Sequence, residues 1–248
     1  MVRKSSIPGF LERYSDGVDS QESKERRGGM SSVVGCQSMD GTHVGAPIAI
    51  DYRLSTFDEV MTTAHVDELV SEFAEKLLPL TVRVERVPTS ERAAAVLSEF
   101  SKEIGAPGLV IAAELTKLAP DLMTSLDSSG ISWLTPADVA ASRDAPLGIS
   151  LATLGVAETG SVMMAEPTLA DRAVGMLTKT NVVIVRTETM VPSLVEAAAA
   201  LKALALQPNG GYAALVTGPS RTADIELSLS LGVQGPERVM IVVVDALS

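Results

Sequence analysis

Cysteine is nearly missing from this sequence: Cys36 stands alone among 248 residues. A lone thiol excludes an internal disulfide, and it excludes any four-thiolate zinc or iron–sulfur site made by this chain by itself. Imidazole is almost as scarce, with His43 and His65 as the whole supply. A role in electron transfer would therefore need a diffusible cofactor or one carried by a partner, and no cofactor is expected in this chain. Long apolar runs are missing too. None approaches the roughly 18 to 20 residues of a membrane helix, and the N-terminus lacks the apolar stretch of a signal peptide, so the expectation is a cytoplasmic protein without a membrane partner. Positive charge is in deficit, 20 Lys and Arg against 31 Asp and Glu, for a net charge of −11. That sign repels phosphate backbones and argues against nucleic acid as a partner.

What is present is a large apolar fraction, 46%, enough to fill a proper core. Residues 1–47 do not share in it. The segment RYSDGVDSQESKERRGG is polar, mixed in charge and without helical or strand period, which predicts a disordered tail ahead of a single domain over 48–248. From Ser55 the apolar residues recur at three and four up to Leu78, a helix that Pro79 ends. Leu80 to Val87 alternates apolar and charged residues as a half-exposed strand, Ser90 to Ile104 is helical, and Leu109 to Ala113 is a short buried strand. Ile131 to Leu134 reads as a further strand with Trp133 as a core residue, and Thr135-Pro136-Ala137-Asp138 starts a short helix. Thr168 caps a helix carrying Arg172, Val182 to Val185 is a strand, and Pro192 opens an Ala-rich helix through Leu206. This alternation predicts an α/β fold with a mainly parallel central sheet covered by helices on both faces.

Two stretches carry more than secondary structure. One is GISLATLGVAETGSVMMA, residues 148–165, where Glu158 is the single ionisable residue. The other is YAALVTGPSRTADIELSLSLGVQGPERVMIVVVD, residues 212–245, in which a polar crossing joins two apolar runs. A Gly218-Pro219 turn feeding a short helix would expose backbone N–H groups, and Ser220, Arg221 and Thr222 add donors suited to a carboxylate or phosphate. The same residues have structural uses: Ser220 or Thr222 as a helix cap, and Asp224 offsetting the helix dipole and pairing with Arg221.

Together the two stretches resemble the LUD domain family, in the type of its lactate utilization subunit without iron–sulfur clusters. The resemblance covers roughly Phe57 to Asp245 and is sharpest over Gly148 to Gly160 and Gly218 to Pro236. It implies a fold like that of the ribose-5-phosphate isomerase and CoA-transferase superfamily. It also implies a place in L-lactate oxidation beside an iron–sulfur LUD-domain protein and a further cysteine-rich subunit, with a small anionic ligand. The residues expected to line that ligand site are Gly218, Ser220, Arg221, Thr222, Asp224, Glu226, Arg172 and Gln234. Glu158-Thr159-Gly160 has the Glu-x-Gly form of the nucleophile in class I CoA transferases, so Glu158, set between apolar runs, is the candidate catalytic group. The alternative is a Glu158 paired with Arg172 or Arg221 to hold the site together. A free-standing CoA-thioester or sugar-phosphate protein of the same fold is thus the competing functional reading. The chain departs from the family where Thr153 replaces Asp, Thr178-Lys179-Thr180-Asn181 replaces a Pro-Pro-x-His segment, and Gln234 replaces His. Amides at Asn181 and Gln234 hydrogen-bond but do not shuttle protons near neutral pH.

Overall fold

The computed structural model describes residues 63–206, 211–222 and 230–248. The expected tail over 1–47, the start of the first helix, and Asp224 and Glu226 all lie outside these described residues. Helix α1 spans Thr63–Leu77 and buries Leu69, Val70, Phe73 and Leu77, the three-and-four spacing of one face. Pro79 then tightens the chain into a 3-10 turn, Leu78–Leu80, which Thr81 ends in the left-handed conformation at φ 60°. This reversal is why strand β1 begins at Arg83, later than the alternation from Leu80 suggests, and runs to Thr89. Helix α2, Ser90–Glu103, starts where Thr89 accepts the Arg92 N–H on its side chain.

Strand β2, Leu109–Ile111, leads into α3, Ala113–Leu118, and α4, Pro120–Ser128. Helix α3 has no side-chain cap, and α4 opens on Pro120 with Asp121 in its first turn, a start signal in the sequence that was not foreseen. Strand β3 is only Trp133–Leu134. Trp133 packs against the main core while its indole N–H donates to Asp127 Oδ1 at 2.8 Å. The helix expected from Thr135 is a single 3-10 turn, Ala140–Ser142, capped by Asp138 Oδ1, which accepts the Ala141 N–H at 3.1 Å. Strands β4, Leu147–Leu151, β5, Leu154–Val156, and β6, Ser161–Met164, follow, and then helix α5, Leu169–Leu177. Beyond it come β7, Thr180–Arg186, β8, Met190–Val191, and α6, Leu194–Ala205. The chain closes with β9, Ala214–Val216, the two-residue strands β10, Arg221–Thr222, and β11, Ser230–Leu231, and the long β12, Arg238–Ala246.

The central sheet has the order β1-β12-β7-β4-β2-β3, and every pairing in it is parallel. A parallel sheet must be covered on both faces, and the sequence of β12 shows it. Met240, Val242 and Val244 join the core that α2, α3 and α4 complete, while Val239, Ile241 and Val243 face the other way, toward α1 and a second sheet. That second sheet, β8-β5-β6-β9, was not foreseen. Its strands are two to four residues long, too short to show a period of their own. Helix α5 packs beside it, with Val174 against Val110 and Ala112. The fold is therefore α/β with helices on both faces of a mainly parallel sheet, as expected, with a small mixed sheet added to one face.

Candidate functional site

The Gly218 turn forms where β9 leaves the small sheet. Gly218 has φ +82°, the left-handed region that favours glycine, and a Cβ there would come within 3.3 Å of Val82 and 3.4 Å of Leu80, a snug fit. No helix starts at Ser220. Arg221 and Thr222 instead pair antiparallel with Leu231 and Ser230. Within the turn the Ser220 N–H donates to Pro236 O at 3.0 Å, and Ser220 Oγ accepts the Gln234 N–H at 3.2 Å. Arg221 reaches back across the fold, its Nη2 donating to Leu80 O at 2.8 Å. The sequence signal here describes a clasp: Ser220 and Arg221 tie the 232–236 loop and the end of the first helix to β9.

Glu158 lies on the turn between β5 and β6, exposed rather than set between apolar runs. Its carboxylate accepts the Leu194 N–H at 3.1 Å, and its own N–H donates to Pro192 O at 2.9 Å. Glu158 thus caps the first turn of α6, and its partner is neither Arg172 nor Arg221. Gly160 completes the Glu-x-Gly form for a conformational reason: its φ is +66°, and a Cβ would press within 2.9 Å of Lys76 Cβ. Side by side with this turn is the start of the Gly218 clasp. Thr159, Ser161 and Thr217 form a chain of hydroxyls, with separations of 2.8 and 2.6 Å, across the β6–β9 edge.

Arg172 belongs to a different place. A cavity of about 40 Å³, room for roughly three water molecules, lies between α5, the β6–β9 edge of the small sheet and the starts of β7 and β12. Met164, Val183, Val216 and Val239 wall it with apolar surface, and Glu166, Arg172, Asn181 and Tyr212 supply its polar groups. Arg172 is fixed at the rim. Its Nε donates to Glu166 O at 2.9 Å, its Nη2 to Pro167 O at 3.3 Å, and its guanidinium stacks on the Tyr212 ring at 4.2 Å. Asn181 is 3% exposed, and its Oδ1 accepts from Ser150 Oγ at 3.0 Å, which leaves the amide N–H groups as what it can offer. Glu166 is 6% exposed. Burial is the main reason its carboxyl is pushed up to about 7; a hydrogen bond from its own backbone opposes the rise, Asp171 adds to it and Arg172 opposes it. Asp171 is itself buried and committed to structure, accepting from Ala113 N at 2.6 Å and from Thr168 Oγ1 at 2.7 Å.

A family model for the LUD domain matches residues 70–244. The chain belongs to the LUD domain family. Lactate utilization protein C of Shouchella clausii is 26% identical to it over 207 residues, covering 79% of this chain and 87% of the relative. Lactate utilization protein C of an Exiguobacterium species is 29% identical over 202 residues, 78% of each chain. The crystal structure of a DUF162 family protein from Deinococcus radiodurans covers 72% of this chain and 98% of its own, with a TM-score of 0.50 and 19% identity, a likeness of fold. In this LUD domain the three departures from the family pattern separate in space. Gln234 is exposed and contributes its backbone N–H to the clasp. Thr153 is held in the small sheet, its N–H donating to Met163 O at 2.8 Å. Asn181 alone is at the cavity.

Of the residues expected from the sequence to line a ligand site, Arg172 is the one that the structure puts at this cavity. Glu166, Tyr212 and Gly175 line it without having been nominated. Glu166 had a signal, since it is the charge that ends the uncharged run after Glu158. For Tyr212, 40 residues from Arg172, no spacing rule could have made the link. Among the described residues there is no group of three or more His, Cys, Asp or Glu that could hold a metal ion, and no helix is long and apolar enough to cross a membrane.

Proposed function

We propose that this LUD domain protein is the non-iron–sulfur subunit of an L-lactate oxidation system and that it contributes a cleft for a small anion. The observation that carries the reading is the match to relatives named lactate utilization protein C over 79% of this chain and 87% of theirs. Chemistry supports the division of labour. Oxidising a 2-hydroxy acid to a 2-oxo acid removes two electrons, and a chain with one cysteine cannot build a four-thiolate cluster to receive them. The acceptor then sits on partners, an iron–sulfur LUD-domain protein and a further cysteine-rich subunit, in the cytoplasm. Both candidate anion contacts, Arg221 and Arg172, donate to backbone carbonyls, and Arg172 is the one that also borders a cavity.

Co-expression with the iron–sulfur protein tests this. The expected result is co-purification, with lactate-dependent reduction of an electron acceptor by the assembled complex and none by this chain alone. Turnover of an acyl-CoA by the isolated chain would overturn the subunit reading in favour of a free-standing CoA-thioester enzyme.

A further inference from the structure

The cavity at Glu166 combines features that the Gly218 clasp lacks. It is walled by apolar side chains, it has one cation at its rim and one buried amide, and it holds a buried carboxyl close to its protonation midpoint. The carboxyl has its own backbone N–H and the Arg172 charge as partners, which together do not offset its burial, and a polar group of a ligand in the cavity would supply a further one. We propose that the cavity binds a short 2-hydroxy acid and its 2-oxo counterpart, with the carboxylate on Arg172 and the Asn181 amide and the oxygen on carbon 2 against the Glu166 carboxyl. The inference rests on the reading that a small carboxylate is the ligand, but it needs no partner subunit.

Each part of the ligand has its counterpart. A carboxylate suits a guanidinium already held in place by two carbonyl bonds and an aromatic ring, because little side-chain freedom remains to be lost on binding. The Ser150 hydroxyl takes Asn181 Oδ1, turning the donor end of the amide to the task. Volume for roughly three waters limits the ligand to a few heavy atoms, and Val183 and Val239 favour a short apolar tail. Glu166 then distinguishes the two oxidation states. Ionised, it accepts from a hydroxyl; protonated, it donates to an oxo group. The charged groups bearing on it are Asp171 and Arg172, both from α5, with Lys117 of α3 acting on Asp171; the facing β7 and the 211–216 segment present Asn181 and Tyr212.

Isothermal titration of the full-length chain with L-lactate and with pyruvate, at pH 6 and pH 8, tests the site. Saturable binding of both is expected, with the lactate-to-pyruvate affinity ratio higher at pH 8 and this shift absent in Glu166→Gln. Gly175→Ala separates binding from folding. A Cβ at Gly175 sits 3.4 Å from Ser150 Oγ and 3.7 Å from Asn181 Nδ2, ordinary contact distances, so it fits the fold while occupying the cavity. Its melting temperature should hold or rise, as glycine to alanine does within a helix, while affinity falls about tenfold, the loss expected when one side of a small ligand is crowded. Undiminished binding by Gly175→Ala, or an equal lactate-to-pyruvate ratio at both pH values, overturns the assignment. If wild type binds neither acid while the reconstituted complex oxidises lactate, this inference fails and the subunit reading stands.

Discussion

A carboxyl pushed up to about 7 inside a protein leaves a mark on stability that can be measured without any ligand. Between its ordinary value near 4.5 and 7, the folded state of Glu166 holds a proton that the unfolded state has released, so stability falls as pH rises through that window. The loss is complete above pH 7 and amounts to roughly 3 kcal/mol for a shift of this size. Glu166→Gln keeps the shape and removes the titration. Urea unfolding at pH 5 and pH 8 should therefore show the variant gaining on wild type at pH 8, and parallel pH profiles would show that the carboxyl is not desolvated as the fold requires. Gly148 makes a second case at this scale. A Cβ there would stand 2.7 Å from both Thr178 Cγ2 and Oγ1 and 2.9 Å from Val174 O, a backbone atom that cannot swing aside. Gly148→Ala should cost about 1–3 kcal/mol in denaturant unfolding, the usual cost of overpacking, and a neutral result would mean that α5 does not press on β4 so closely. In sequence, Gly148 and Glu158 looked alike as parts of one family stretch. Their roles differ because one lies buried under α5 and the other lies at the surface against the first turn of α6, a distinction that spacing along the chain does not encode.

At the scale of elements, the cap of α5 was legible, whereas the one expected at Thr135 was not, since the chain makes only a 3-10 turn at Ala140–Ser142. Thr168 and Asp171 bond as their spacing implies, the Asp171 N–H donating to Thr168 Oγ1 at 3.0 Å. Ser193 and Glu196 form a full capping box at the start of α6. The same helix takes a third acceptor from outside, Glu158, which local sequence could not reveal because the two are 36 residues apart. Ser193→Ala should cost about 1 kcal/mol of stability, the ordinary value of a lost N-cap, and Glu158→Ala somewhat less, since Leu194 N–H can turn to water. These roles also bear on catalysis. Treating wild type with an acyl-CoA and then hydroxylamine or borohydride should trap no product at Glu158, because its carboxylate is occupied by the helix terminus; labelling that disappears in Glu158→Gln would restore the nucleophile.

For the molecule as a whole, the large sheet was legible except for its inner strand β4, whose Gly148 and Ser150 interrupt the apolar run, and the small sheet was not. A parallel strand buried on both faces reads as an unbroken apolar run, as Val239 to Val244 does, and helices between such runs dictate the connections. Strands β8 and β9 join the β5–β6 hairpin from far along the chain, and the cavity exists only where that second sheet meets the first. This placement makes ligand binding a clasp between sheets. Strand β9 is an edge strand joined to its sheet by β6 alone, with Leu215 exposed; such strands exchange their amide protons by local opening rather than by global unfolding. A small acid in the cavity touches Ala214 and Val216 of β9 together with Val183 and Val239 of the large sheet, and at ten times its dissociation constant it contributes about 1.4 kcal/mol to the closed form. Hydrogen exchange with and without saturating pyruvate should therefore slow about tenfold at β9 and at the start of α5, and leave the distant edge strand β3 unchanged. Slowing at β3 equal to that at β9 would locate the ligand elsewhere or show that it acts only by stabilising the whole domain.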